Sequence, residues 1–280
     1  MGPAPALIVV GGGKMGEALV AGLLRTTWAS PEAITVVETD AGRRAELAAR
    51  HPGLPVVGGV RDVARGAAGA AGAVGAVIAV KPADAEAACR ALTGAGVGRV
   101  LSIAAGVTLA SLESWLADAV AVVRAMPNTP ALVGSGAAAI AGGHAAGADD
   151  LAWAQGILEA VGTVVTVPES DLDAVTGLSG SGPAYVFLLA EALIDAGVQV
   201  GLSLPVARQL VVQTVLGSAR LLAETGDEPA ALRAAVTSPG GTTAAGLRVL
   251  EAAGVRQAVV DAVAAATERS RELGKGNATV

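Results

Sequence analysis

A four-residue apolar run, Leu7-Ile-Val-Val10, passes straight into Gly11-Gly12-Gly13-Lys14-Met15-Gly16 and then into a stretch of helical spacing that reaches Leu24. Strand, glycine turn and helix in that order commit the start of the chain to a βα unit. Gly11 permits the tight turn, Gly13 lets backbone approach a pyrophosphate, and Gly16 lets helix and strand pack closely. The free N–H groups and the dipole at the helix start favour phosphate charge. A chain with 38 glycines generates such spacings by chance. The position of this one, opening an alternating α/β half, gives it weight. Gly11, Gly13, Lys14, Met15 and Gly16 are therefore candidate dinucleotide contacts. Lys14 either adds a phosphate contact or is a solvated surface lysine.

The alternation continues. Short β-branched runs at Leu7–Val10, Ile34–Glu38, Ala76–Val80, Val100–Ile103, Val120–Ala125 and Thr163–Val167 are separated by longer Ala-rich segments. Most lack strict two-residue periodicity, as strands of a parallel sheet covered on both faces do. After Pro168 the strand runs stop. Helices are expected around Ala184–Val200, Pro205–Thr225, Ala230–Val236, Thr243–Ala252 and Arg256–Leu273, punctuated by Gly201, Gly226, Pro229, Gly240-Gly241 and Gly254. The polar segment Pro168-Glu-Ser-Asp171 is the expected boundary. It divides the chain into an α/β dinucleotide-binding domain (1–167) and an all-helical domain (168–280). The helices of the second half carry few charges, so this half is expected to pack on another copy rather than stand as a self-contained bundle. The Gly66–Gly75 tract fits either a loop or the helix leading into Ala76–Val80.

Composition excludes several classes. One cysteine, Cys89, allows no disulfide framework or Cys-built metal site, and two histidines leave little for a His-ligated metal. His51 and His144 fall outside every motif and read as surface residues. A net charge of −6 argues against a nucleic-acid surface. The most apolar windows are short of a membrane span or interrupted by Pro and Gly, and no signal peptide is read at the start. A soluble cytoplasmic protein, with neither metal, membrane nor nucleic acid, is the expectation.

An acid roughly 20 residues past the glycine fingerprint normally bonds the ribose 2′-hydroxyl of NAD. Glu38 occupies that place, with Thr39 beside it and Arg43 and Arg44 following. The acid leans to NAD; Thr39 and the arginines leave NADP open. Three segments end strands and are candidate walls of a site beyond the sheet: Val80-Lys81-Pro82, Ser102-Ile-Ala-Ala-Gly106 with Ala104, and Met126-Pro-Asn-Thr-Pro130. In the second half, Ser238-Pro-Gly-Gly-Thr-Thr243 precedes an apolar helix. Its hydroxyls and glycines at a helix start suit a small anion such as a carboxylate. A second glycine-rich stretch, Gly180-Ser-Gly-Pro-Ala-Tyr185, also opens a helix; Tyr185, close to Phe187 in an apolar run, reads as core.

Taken together and in this order, the segments resemble the pyrroline-5-carboxylate reductase family from residue 7 to about 273. The last motif, running through Ala244-Ala-Gly-Leu247, is the most specific. The resemblance implies an N-terminal Rossmann domain and a C-terminal helical domain interlocked with a second subunit, forming homodimers that assemble further, up to decamers. It implies hydride transfer from NADPH or NADH to the C=N carbon of 1-pyrroline-5-carboxylate, giving L-proline. Val80, Lys81, Pro82 and Ala104 would lie near the nicotinamide. Ser238, Gly240, Gly241, Thr242 and Thr243 would hold the substrate, with Thr243 nearest its ring nitrogen. Lys14 stands where the family often has Asn or Gln, and Glu38 is unusual for its NADPH-preferring members. If Gly241 requires positive φ, a side chain there would strain the loop.

No motif contains an obvious acid. A cyclic imine can arrive already protonated, leaving the protein mainly to align the partners. A hydroxyacid dehydrogenase would need a lysine on the second-half helices, and 168–273 has none. An imine reductase acting on a modified pyrroline would keep every motif. A non-enzymatic NAD(P)-sensing protein would keep the fingerprint but has no reason to keep Ser238–Thr243.

Overall fold

The structure is a computed structural model, and it describes residues 7–63 and 74–277. Residues 64–73, most of the Gly66–Gly75 tract, lie outside the described residues. Eight strands form one sheet in the order β3-β2-β1-β4-β5-β6-β7-β8. They are β1 (Leu7–Val10), β2 (Ile34–Val37), β3 (Val56–Val57), β4 (Val74–Ile78), β5 (Val97–Ser102), β6 (Ala121–Met126), β7 (Gly136–Gly142) and β8 (Gly162–Thr166). β1 to β6 run parallel in the doubly wound 3-2-1-4-5-6 order. β7 turns antiparallel to β6, and β8 then runs parallel to β7.

All six strand runs read from the sequence are present, β1 unchanged and the others with ends shifted by at most three residues. β3 and β7 were not expected. β3 is two residues long. β7 is Gly-Ala-Ala-Ala-Ile-Ala-Gly, whose small side chains have no strand preference of their own. Its strand state comes from pairing with β6 and β8.

Six helices cover the sheet: α1 (Lys14–Arg25), α2 (Ala41–Arg50), α3 (Ala85–Leu92), α4 (Leu109–Trp115), α5 (Ala148–Glu159) and the short α6 (Leu172–Val175). Alternate strand residues feed two cores. Leu7, Val9, Ile34 and Val36 pack with Leu19, Leu23 and Leu47 of α1 and α2 and Ile157 of α5. Ile8, Val10, Ala76 and Ile78 pack with Cys89, Leu92, Leu112 and Leu172 from α3, α4 and α6. Local chemistry sets the helix starts: the Asp40 carboxylate accepts from Arg43 N–H (2.6 Å) and the Thr108 hydroxyl from Ser111 N–H (3.2 Å), both N-caps.

The remaining helices are α7 (Gly182–Gln199), α8 (Leu204–Thr225), α9 (Pro229–Ala235), α10 (Thr242–Ala252) and α11 (Val255–Asn277), close to the five expected ranges. Pro205 sits in the first turn of α8, and Gly226, at φ +69°, ends it.

The chain divides into two compact units. One contains the described residues through Ser181 and from Ala265 onward; the other is Gly182–Ala264. Residues 168–181, placed by sequence at the head of the helical half, belong to the first unit because Leu172 is fully buried in its core. The Ser270 hydroxyl also donates to Asp173 Oδ1 (2.6 Å), tying the end of α11 to the same unit. Within the second unit, Ala207 is the single buried residue of α7 to α10, while Phe187, Leu188, Leu210 and Val212 are exposed. Tyr185 is half-buried, not core, because its helix presents an apolar face that this chain does not cover. The helical run Glu169–Gln199 is apolar and long enough to pass for a membrane span by length and composition.

Candidate active site

The strand order reverses between β1 and β4, which leaves a crevice beyond their C-terminal ends where ligands of such sheets bind. The glycine loop lines it. Gly11 N–H donates to Val37 O and Ala79 N–H to Val10 O, both at 2.8 Å, so the loop continues the sheet register into the crevice. Gly11 has φ +108°, and a Cβ there would lie 2.5 Å from Ala79 O. A Cβ on Gly16 would collide with the Gly11 carbonyl. At Gly13, the N-cap of α1, a Cβ would meet nothing within 4 Å. Two glycines are thus required by close packing, and the third faces open space at a helix N-terminus that lacks a side-chain cap. That is the shape and polarity a pyrophosphate needs, and the residues fit a dinucleotide. Lys14 and Met15 form the first turn of α1, with Lys14 exposed.

Glu38 immediately follows β2. Its Oε2 accepts from Gly12 N–H and its Oε1 from Asp40 N–H, each at 2.9 Å. Arg43 Nε donates to the Gly12 carbonyl (2.8 Å), so the peptide groups on both sides of Gly12 are held by side chains. Behind Arg43, Glu17 accepts from Arg43 and Arg50. Burial pulls the Glu17 carboxyl upward, but the hydrogen bonds from Arg43 and Arg50 outweigh it and hold the group below the usual carboxylate range. His51 Nε2 lies 3.6 Å from Glu17, and its side chain is only 15% exposed. The surface assignment of His51 from sequence is corrected: packing beside Glu17 covers the ring. His144 is exposed.

Thr39 is exposed beside Glu38. Val80, Lys81 and Pro82 follow β4 beside Gly11, where a Cβ would lie 3.0 Å from Val80 N, and Pro82–Asp84 forms a single 3-10 turn. Ala104 follows β5; it is buried, and its N–H donates to the buried Ser102 hydroxyl (3.3 Å). The sheet therefore brings Gly11–Gly16, Glu38, Thr39, Val80–Pro82 and Ala104 to one edge. Asn128, after β6, was quoted only within its motif. Its buried amide donates to Ser179 O (3.0 Å) and accepts from Ala137 N–H (2.8 Å), tying β7 and the turn at 176–180 to this edge. An asparagine within a Pro-Asn-Thr-Pro turn after a strand run was the signal available for it.

In the second unit, Ser238–Thr243 forms a turn, Gly241 N–H to Ser238 O at 3.0 Å, and leads into α10. Gly241 is the N-cap, and no side chain caps the helix. The positive φ falls on Gly240 (+70°), whereas Gly241 is at −77°. The strained position anticipated at Gly241 is thus one residue earlier, because the reversal occurs before the extended N-cap. A Cβ on Gly241 would lie 3.2 Å from Ser238 O. Cys89 is buried; burial, with Glu86 nearby, pushes its thiol up to about 11, which disfavours the reactive thiolate.

Fold and cradle together define a dinucleotide-binding protein of the Rossmann class. Residues 6–106 match the family described as NADP oxidoreductase, coenzyme F420-dependent, and residues 169–273 match pyrroline-5-carboxylate reductase dimerisation. The chain is 46% identical over 269 residues to a pyrroline-5-carboxylate reductase of Synechocystis, covering 95% of this chain and 97% of that one. A solved pyrroline-5-carboxylate reductase from Coxiella burnetii superposes with a TM-score of 0.88 at 35% identity, over 96% and 98% of the two chains. One from Plasmodium falciparum, with NADP bound, gives 0.82 at 30% identity over 98% and 100%. The chain belongs to the pyrroline-5-carboxylate reductase family.

Proposed function

We infer that this chain reduces the C=N bond of 1-pyrroline-5-carboxylate with NAD(P)H to give L-proline. The observation that carries this reading is the pairing, within one family-length chain, of a dinucleotide cradle with an uncapped helix start ringed by hydroxyls. We assign the first unit, through Ser181, to the cofactor and the second, Gly182–Ala264, to dimerisation and substrate. Gly11, Gly13, Lys14, Met15 and Gly16 would hold the pyrophosphate, Glu38 and Thr39 the adenosine ribose, and Val80, Lys81, Pro82 and Ala104 the nicotinamide end.

Bound NAD(P)H supplies the hydride. The N-terminal N–H groups of α10, with Ser238, Gly240, Gly241 and Thr242, would bind the substrate carboxylate, which gains from both hydrogen bonds and the helix dipole. The Thr243 hydroxyl would orient the ring nitrogen. A substrate already protonated there becomes a neutral amine when hydride reaches the adjacent carbon, so no protein acid is needed. The small ring carries its recognition group next to the reacting bond, and the protein's task is alignment.

The apolar faces of α7 and α8 favour a homodimer, and the family resemblance extends this to assemblies up to a decamer in a cytoplasmic enzyme without membrane or nucleic-acid partners. Covering by a second copy accounts for the apolar run Glu169–Gln199. Incubation with 1-pyrroline-5-carboxylate and either nicotinamide, followed by chiral amino-acid analysis, tests the function. L-proline in stoichiometry with cofactor oxidised is expected; oxidation without proline, or only with another cyclic imine, would contradict it.

A further inference from the structure

The loop after β2 holds a negative charge where the two common nicotinamide dinucleotides differ. That place is the adenosine 2′-position, a hydroxyl in NADH and a phosphate in NADPH. Glu38 is fixed there by two backbone N–H groups, Gly12 and Asp40, both at 2.9 Å. Rotating the carboxylate away would leave both donors unpaired. A Cβ built on Gly12 would already be 3.2 Å from Glu38 Oε2, so the loop and the acid are packed against each other.

Arg43 is engaged elsewhere, and Arg44 turns one terminal nitrogen onto the loop backbone. Arg43 donates Nε to the Gly12 carbonyl, one terminal nitrogen to Glu46 (2.9 Å) and the other to Glu17. Arg44 donates to the carbonyls of Glu38 (3.0 Å) and Thr39 (2.8 Å). Turning Arg43 toward a 2′-phosphate would break its ion pairs with two acids and release the Gly12 peptide.

Resting on the function given above, we propose that Glu38 makes this chain select NADH over NADPH, and that Arg43 is a positioning residue for the phosphate loop, not a 2′-phosphate ligand. Glu38 accepts from a 2′-hydroxyl and repels a 2′-phosphate, so selectivity comes from a repulsive group as much as from an attractive one. Arg43 acts on both cofactors alike, because it holds a carbonyl of the loop they share.

Fluorescence titration of the full-length enzyme with NADH and NADPH, without substrate, reads this directly. The wild type is expected to bind NADH at least about 10-fold more tightly. Glu38→Ser and the near-isosteric Glu38→Gln should both shrink or reverse that ratio. Arg43→Ala should weaken both cofactors by a similar factor and leave the ratio in place. Arg44→Ala should not weaken NADPH selectively. Wild-type binding that favours NADPH, a ratio unmoved in a folded Glu38 variant, or a selective loss of NADPH affinity in either arginine variant would overturn the proposal. Because no imine is present, the titration is independent of substrate identity. Selective NADH binding without proline formation would overturn the function above and leave this inference standing.

Discussion

Gly240 lies in the turn before α10 and Thr243, three residues on, in the first turn of that helix, and their roles differ. Removing the Thr243 hydroxyl takes away the proposed contact to the ring nitrogen. Thr243→Ala is expected to lower kcat on the order of 10²-fold while NAD(P)H affinity, measured by titration, stays nearly unchanged. Gly240 has φ +70°, where a side chain costs about 1–2 kcal/mol. Gly240→Ala should therefore distort the turn and raise KM, whereas Gly241→Ala, at φ −77°, should be milder. A second residue-scale expectation concerns Glu17, whose carboxyl lies below the usual range through Arg43 and Arg50. A depressed folded value means the stabilisation is present above the unfolded carboxylate pKa and is lost as pH falls through the folded one. Glu17→Gln should lower thermal stability at neutral pH, and its gap from wild type should close in acid. A gap constant with pH would show that the ion pairs contribute nothing.

At the scale of elements, β7 and β8 show both what sequence carries and what it does not. β1, β2, β4, β5 and β6 were legible because β-branched residues mark them, whereas the two-residue β3 is too short to leave a run in the sequence. β7 was not, since an Ala/Gly run becomes a strand only through its neighbours. Its pairing with β8 places Gly136 opposite Gly162. A Cβ on Gly162 would collide with the Gly136 backbone. Gly162→Ala should push the two strands apart and cost about 1–3 kcal/mol in denaturant unfolding, by the usual cost of overpacking. That Gly11–Gly16, Glu38, Val80–Pro82 and Ala104 gather beyond the strand ends was legible because turn glycines and strand ends are adjacent in sequence. What Glu38 and Arg43 do was not, because their partners at Gly12 and Glu17 are 26 or more residues away. The burial of His51 against Glu17 was hidden for the same reason.

Across the whole molecule, the second unit exposes Phe187, Leu188, Leu210 and Leu216 on long helices and buries little within itself. Such a surface is stable in water when another copy covers it, and residues 169–273 match a dimerisation family. Sedimentation should find a dimer or larger species as the smallest folded form. Phe187→Asp should reduce its size or solubility together with activity. A folded, active wild-type monomer at assay concentration would remove this part of the account.

The central claim is that the hydroxyl-ringed start of α10 recognises a carboxylate beside a C=N bond. Comparing kcat/KM for 1-pyrroline-5-carboxylate and for plain 1-pyrroline, with the same cofactor, tests it most directly. Two charge-assisted hydrogen bonds lost at about 1.5–3 kcal/mol each correspond to a preference for the carboxylate of at least about 10²-fold. Comparable values for the two imines would contradict the account.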